Sequence, residues 1–150
     1  MRALHVLGRT IFGGFFLYNG IHHFQDVDML SRYAAQKGIA APEAAVQASG
    51  ALFIAGGLSV LAGIKPRQGL AAIVACLIPV TLQMHRFWDV DDPQQRMGEM
   101  VNFSKNMALV GAALAMMQIS EPWPASPASM RRHEEMYVRL GGRDFHTLPA

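Results

Sequence analysis

Charged residues are absent from four long stretches of the chain. Thr10–Gln25, Ala44–Ile64, Gln68–His85 and Asn106–Ser120 contain no Asp, Glu, Lys or Arg. A helix covering a soluble core shows polar residues every three or four positions, and these stretches do not. A membrane-spanning helix needs about 20 largely apolar residues. The pattern therefore predicts an all-α chain in which residues 1–120 form a four-transmembrane-helix bundle, with helices at about 4–24, 44–64, 69–88 and 101–120. Residues 121–150 are expected to be a polar cytoplasmic tail. Arg9 falls about one and a half turns into the first helix and is expected to snorkel to the near interface. A cleaved signal peptide is the rival reading of that segment, but Arg9 interrupts the apolar run and no small-x-small cleavage site follows it.

The connections differ in kind. Ile64-Lys65-Pro66-Arg67-Gln68 is a tight turn that makes the second and third spans antiparallel neighbours. Met29–Gly38 reads as a short interfacial helix closed by its glycine. Asp89–Met100 reads as an acidic loop carrying Pro93. Pro79 predicts a bend in the third span. Glycines 13, 14 and 20 in the first span and 50, 56, 57 and 63 in the second allow close backbone approach. After Ser120, three prolines interrupt the helix, Trp123 suits a membrane interface, and Met130–Leu140 reads as a short surface helix.

Composition agrees with this picture. Of 150 residues, 51% are hydrophobic and only 16% charged, against roughly 25% charged in an ordinary soluble domain. The net charge of +2 is scattered in ones and twos, which fits loops between spans and not a nucleic-acid surface. One cysteine, Cys76, excludes a disulfide scaffold and reads as a packing residue. Arg2, Arg9, Lys65, Arg67, Arg131, Arg132, Arg139 and Arg143 fall on one side of the bundle. Arg32, Lys37, Arg86, Arg96 and Lys105 fall on the other, so the count is eight against five. By the positive-inside rule, both termini are expected to be cytoplasmic and the protein to lie in the cytoplasmic (inner) membrane.

One pattern rises above this background. Ile21-His-His-Phe-Gln-Asp-Val-Asp-Met29 and Met84-His-Arg-Phe-Trp-Asp-Val-Asp-Asp92 agree at five of nine positions. They end the first and third spans, as a duplicated helical hairpin would require. On continued helices, His22 would face Asp26 and His85 would face Asp89 at i, i+4. Asn19 shares the His22–His23 face, Trp88 accompanies His85, and Asn102, Lys105 and Asn106 open the fourth span at the same level. Three readings of this outer cluster are open. In the first, the carboxylates and Lys105 neutralise one another while the His and Trp residues anchor the interface. In the second, His22, His85, Trp88, Asn102 and Lys105 bind a quinone-like ring beside Phe24 and Phe87, with His and Asp as proton acceptors. In the third, His22, Asp26, His85 and Asp89 ligate a metal or haem, although Glu-x-x-His pairs and a Cys-x-x-Cys-His run are lacking. His5, His133 and His146 read as exposed or interfacial.

At these residues the chain resembles the DoxX family of small four-helix membrane proteins. The resemblance rests on Arg9, Gly13, Gly20 and His23-Phe24, then on Gly56-Gly57, Gly63 and Pro66-Arg67. It is strongest over Met84-His85-Arg86-Phe87-Trp88, Pro93-Gln94 and Asn102-Phe103-Ser104-Lys105-Asn106-Met107-Ala108-Leu109-Val110-Gly111, and it covers roughly residues 4–120. Family members often carry an acidic residue in the middle of the second span, and Ala44–Ile64 has none. The resemblance implies a subunit of a quinone-linked redox system, with redox-complex subunits as partners. Its alternative is a non-catalytic scaffold that recruits a redox or stress-response partner. Transport is a weaker third option, and a homo-oligomer is compatible with each.

Overall fold

The computed structural model describes residues 2–139, and these are all helix, turn and loop with no strand among them. Arg143 and His146 lie outside the described residues. In chain order the helices are α1 (Arg2–Gln25), α2 (Val27–Gln36), α3 (Pro42–Ala62), α4 (Pro66–Met84), α5 (Pro93–Met116) and α6 (Pro127–Arg139), with a single 3-10 turn at Phe87–Asp89 before α5. The closest packing runs from α1 to α3, from α3 to α4 and from α4 to α5, while α2 lies against α3.

Local chemistry sets most boundaries. Pro42 and Pro66 open α3 and α4 at the first helical position, where a missing N–H costs nothing. Gly63, at φ 65°, closes α3, and the Ile64 N–H donates back to the Ser59 carbonyl, the left-handed cap glycine favours. Gly38, at φ 82°, closes α2 as the sequence predicts. Ser126 and Ser129 exchange hydrogen bonds, each backbone N–H donating to the other's hydroxyl at 3.0 and 3.2 Å. That reciprocal cap starts α6 at Pro127, three residues earlier than expected.

Two boundaries differ from expectation. Pro93 does not break a loop. Asp92 caps the helix by accepting from the Gln95 N–H at 2.8 Å, Pro93 takes the first position, and α5 begins there instead of near Val101. Conversely, α4 stops at Met84 and does not continue through Trp88. His85 leaves the helix and the chain folds into the 3-10 turn.

The core gathers Phe12 and Phe16 of α1, Phe53 and Val60 of α3, Leu70, Ile73 and Leu77 of α4, and Val110 and Ala113 of α5. Trp123 completes it and is fully buried. It therefore does not sit at an interface: Ser120–Pro124 folds back over the end of the bundle, where the indole stands edge-on to His5 at 4.9 Å. The same strap covers Arg9, which is 4% exposed and donates from Nη2 to the Ala125 carbonyl at 3.1 Å. Arg9 thus finds its partner inside the fold and does not snorkel. The outward faces are apolar. Leu4, Leu7, Ile11, Phe15 and Tyr18 form an exposed stripe on α1, with Met97, Val101 and Leu114 exposed on α5. Two helical stretches, Pro42–Ala62 and Pro66–Asp89, are long and apolar enough to cross a membrane by length and composition.

α1 and α3 touch through glycine. A Cβ on Gly20 would lie 2.7 Å from the Gly50 carbonyl oxygen, and one on Gly57 would lie 2.7 Å from the Gly13 carbonyl oxygen. Gly14 faces open space. Gly20→Ala is expected to destabilise by about 1–3 kcal/mol through overpacking. Gly14→Ala should be neutral or stabilising by up to about 1 kcal/mol, because alanine orders a helix better. Thermal melts of the two variants in one detergent check this, and equal shifts would contradict the close crossing.

Candidate functional site

The α2 end of the bundle holds the polar residues that the sequence singles out, but it divides them. His22 Nδ1 and Asp26 Oδ2 stand 2.9 Å apart, one helical turn from each other and half exposed. The expected His22–Asp26 pair is therefore present. The expected His85–Asp89 pair is not. Because α4 ends at Met84, His85 and Asp89 share no helical face. Arg86 donates to Asp89 at 2.9 Å instead, and His85 Nδ1 reaches Glu99 Oε2 at 2.8 Å. Lys105 donates to the Asn102 side chain at 3.1 Å near the surface. Asn106 is buried and donates to the Thr81 hydroxyl at 3.0 Å. Trp88, Phe87 and Phe103 make an edge-to-face cluster with centroids 5.0 to 5.8 Å apart, whereas Phe24 lies beside Gly50. Among the described residues no three His, Cys, Asp or Glu side chains converge as metal ligands.

Glu99 is the centre that sequence reasoning missed. Its Oε1 accepts from Lys37 Nζ at 2.5 Å and from the Tyr33 hydroxyl at 3.1 Å, and its Oε2 faces His85. The carboxylate is 13% exposed. Burial by itself raises its pKa, but the hydrogen bonds from Lys37 and His85 and the lysine charge outweigh burial and hold the carboxyl below the usual glutamate range. Burial lowers Lys37 in turn, and its bond to Glu99 prevails to raise it. Burial, followed by the Glu99 charge, raises the Tyr33 phenol, so it stays a donor. A readable signal existed. Asp92-Pro93 is a cap-and-first-position pair, and a helix begun there puts Glu99 on one face with Asn102 and Asn106 at i+3 and i+7.

Beneath α2 lies a cavity of about 300 Å³ bounded by α1, α2, α3 and α4. Leu30, Ile39, Val46, Pro79, Val80 and Met84 supply apolar walls, and His23, Tyr33, Ser49 and Gln83 supply polar atoms. His22, His85, Trp88, Asn102 and Lys105 do not line it. The histidine that does is His23. Its Nδ1 lies 2.6 Å from the Asn19 carbonyl, which only accepts, so Nδ1 carries a proton and Nε2 is the ring nitrogen that contact leaves unused. The ring stands edge-on to Phe53 at 5.6 Å. The buried face of α1 runs Arg9, Phe12, Gly13, Phe16, Gly20, and His23 continues it three residues on.

A family model matches residues 4–86, more than half of the chain, and its description is DoxX. The chain belongs to the DoxX family. No curated protein and no solved structure matches it. The match ends at Arg86, so most of the Met84–Gly111 run and all of Glu99's helix lie outside it. Within it fall α1, α2, α3 and α4, and with them every residue that lines the cavity. This DoxX protein is thus a membrane protein whose matched region contains, beneath α2, a partly polar cavity joined through Tyr33 to a carboxylate supplied by α5.

The network predicts a pH dependence with a definite sign. Glu99 has a folded pKa below its unfolded value, so its contribution is full above the unfolded pKa and is lost as pH falls through the folded one. Lys37 has a raised pKa, and its contribution is lost only as pH climbs through that raised value. Glu99→Gln should lower stability at neutral pH by about 1–3 kcal/mol, because Lys37 loses its counter-charge. It should also flatten the acid limb of a plot of melting temperature against pH below about pH 5. An acid limb identical to wild type would exclude Glu99 as its source.

Proposed function

We propose that this DoxX protein is a subunit of a quinone-linked redox system and that the cavity beneath α2 holds the quinone ring. The observation that carries the reading is the lining itself. A volume of about 300 Å³ with apolar walls and a few polar groups, one of them a histidine whose Nδ1 is held by a backbone carbonyl, suits a flat ring bearing carbonyl or hydroxyl oxygens. A bound quinone supplies two-electron, two-proton chemistry. The chain's own residues bind, orient and handle protons. With a quinone bound, Gln83 would be the amide donor available to a ring oxygen, and His23, oriented by the Asn19 carbonyl, would be the group available to exchange a proton with it. Glu99 does not line the cavity and is already engaged by Lys37, Tyr33 and His85. It fixes Tyr33 at the cavity wall and links the site to His85 and Lys37. His85 therefore keeps a role in this reading through Glu99.

In the same reading α1, α3, α4 and α5 all cross the cytoplasmic membrane, with both termini inside. The apolar stripes on the outward faces of α1 and α5 favour four spans, even though Arg2, His5 and Arg9 dilute α1 and the first turns of α5 are polar. A second reading, a scaffold for a redox or stress-response partner, is favoured by Met130, Met136 and Val138, which are exposed on α6.

The test is quinone extraction from the purified, detergent-solubilised protein, with titration of a short-chain quinone. His23→Gln and Gln83→Leu should each weaken binding about tenfold, a loss of about 1.4 kcal/mol, and His22→Ala should leave it unchanged. A folded wild-type protein that neither carries nor binds quinone would remove this reading and leave the scaffold.

A further inference from the structure

The opposite end of the bundle carries a second cavity, of about 400 Å³, that the quinone reading does not use. Three segments distant in sequence enclose it: the first residue of α1, the strap at Pro122–Ala125, and the first turns of α6. Its polar lining residues are Arg2, Ser129, Arg132 and His133, and among the described residues no carboxylate lines it. Neither Arg2 nor Arg132 has an ion-pair partner among the described residues. The carboxylates of α6 are directed elsewhere. Glu134 and Glu135 line a separate hollow with Arg131 and Arg139, and Glu121 of the strap faces Arg67.

The floor adds charge of the same sign. Ala125 lines the cavity, and its carbonyl holds Arg9, whose Nε and Nη1 are buried without partners. Gly63 in the α3–α4 turn packs directly on the Arg9 guanidinium. The cavity is thereby level with the ends of two helices long enough to cross a membrane. Like charges gathered at a low-dielectric boundary repel one another unless an anion joins them, and basic pockets at the membrane surface suit lipid phosphates.

We propose that this cavity binds a phosphate group, that of an anionic phospholipid headgroup in the adjoining leaflet. Arg2 and Arg132 approach the phosphate oxygens from two different elements, and arginine's planar fork suits them. His133 adds a third donor, while the Ser129 hydroxyl is already committed to the Ser126 carbonyl. The lipid thereby joins the strap and α6 to the start of α1. The proposal needs only the membrane location and is independent of what the cavity beneath α2 holds.

The test uses the full chain in a neutral detergent. Native mass spectrometry would count bound lipid in separate titrations with phosphatidylglycerol, phosphatidylcholine and inorganic phosphate. Wild type should retain phosphatidylglycerol in preference to phosphatidylcholine. Arg2→Ala/Arg132→Ala should weaken it about tenfold. Arg32→Ala/Arg96→Ala removes the same charge from the other end and should leave it unchanged. If the first double variant melts early, Arg2→Gln and Arg132→Gln are read singly, each with an expected loss of about threefold. No preference between the two lipids, or an equal loss in both double variants, overturns the site. Inorganic phosphate bound as tightly as the lipid, with the same sensitivity to Arg2 and Arg132, overturns the lipid as its source.

Discussion

The crossing of α1 on α3 through Gly20–Gly50 and Gly13–Gly57 is the contact on which the remaining geometry depends. In a bilayer the surrounding lipid is as apolar as leucine, so helices associate through close van der Waals contact and not by escaping water. The four glycines bring backbone against backbone, at separations where a Cβ would lie 2.7 to 3.1 Å from the facing carbonyl oxygen. That closeness fixes the register of the two helices. His23, one turn beyond Gly20, is then placed against Phe53 and the α3 wall of the cavity, with the Gly50 backbone directly beneath its Cβ. A side chain in place of Gly50 would meet the His23 Cβ first, at 2.8 Å.

The two ends of the bundle handle buried charge in opposite ways. At the α2 end, Glu99 is met by Lys37, Tyr33 and His85, a set of donors that satisfies both carboxylate oxygens. Breaking such a cluster on one side leaves a stranded charge, which costs far more than the cluster contributes as a whole. At the other end Arg9 has a carbonyl for a partner and no carboxylate. The strap that covers it is held by Trp123 in the core and by the paired serines at the start of α6. One end is therefore electrostatically closed, whereas the other keeps a surplus of positive charge beside an open cavity.

Helix existence was legible in the sequence to the extent that apolar periodicity controls it. The charge gaps located the four long helices, Gly38 and Gly63 marked helix ends, and the glycines of α1 and α3 announced close packing. The errors share one cause: an isolated residue type was read without its neighbour. Pro93 alone suggests a break, while Asp92-Pro93 together are a helix start. Arg9 alone suggests an interfacial anchor, and its burial depends on a strap more than a hundred residues away. Trp123 followed the interfacial preference of tryptophan until the fold gave it His5 and the core. For the site, His85 was read correctly as a paired residue but with the wrong carboxylate. Asp92-Pro93 could have placed Glu99 on a helix face, but its pairing with His85, Lys37 and Tyr33 is a tertiary contact that leaves no trace in local spacing.

The repeated nonapeptide shows the same limit most directly. His22 and His85 occupy equivalent positions in segments that agree at five of nine residues, and each segment spans the end of a long helix. After the first copy the chain barely interrupts its helix. The Asp26 N–H still donates to the His22 carbonyl at 3.0 Å, and α2 follows at Val27, so the i, i+4 pair forms. After the second copy, Asp92-Pro93 starts a new helix and the intervening residues must turn. A 3-10 turn has no i, i+4 face, so His85 is free of Asp89 and within reach of α5. The carboxylate that captures it is already anchored by Lys37 and Tyr33 of α2, the helix that the first copy begins. The two copies therefore make one network from both sides, the first by continuing as helix and the second by ceasing to be one.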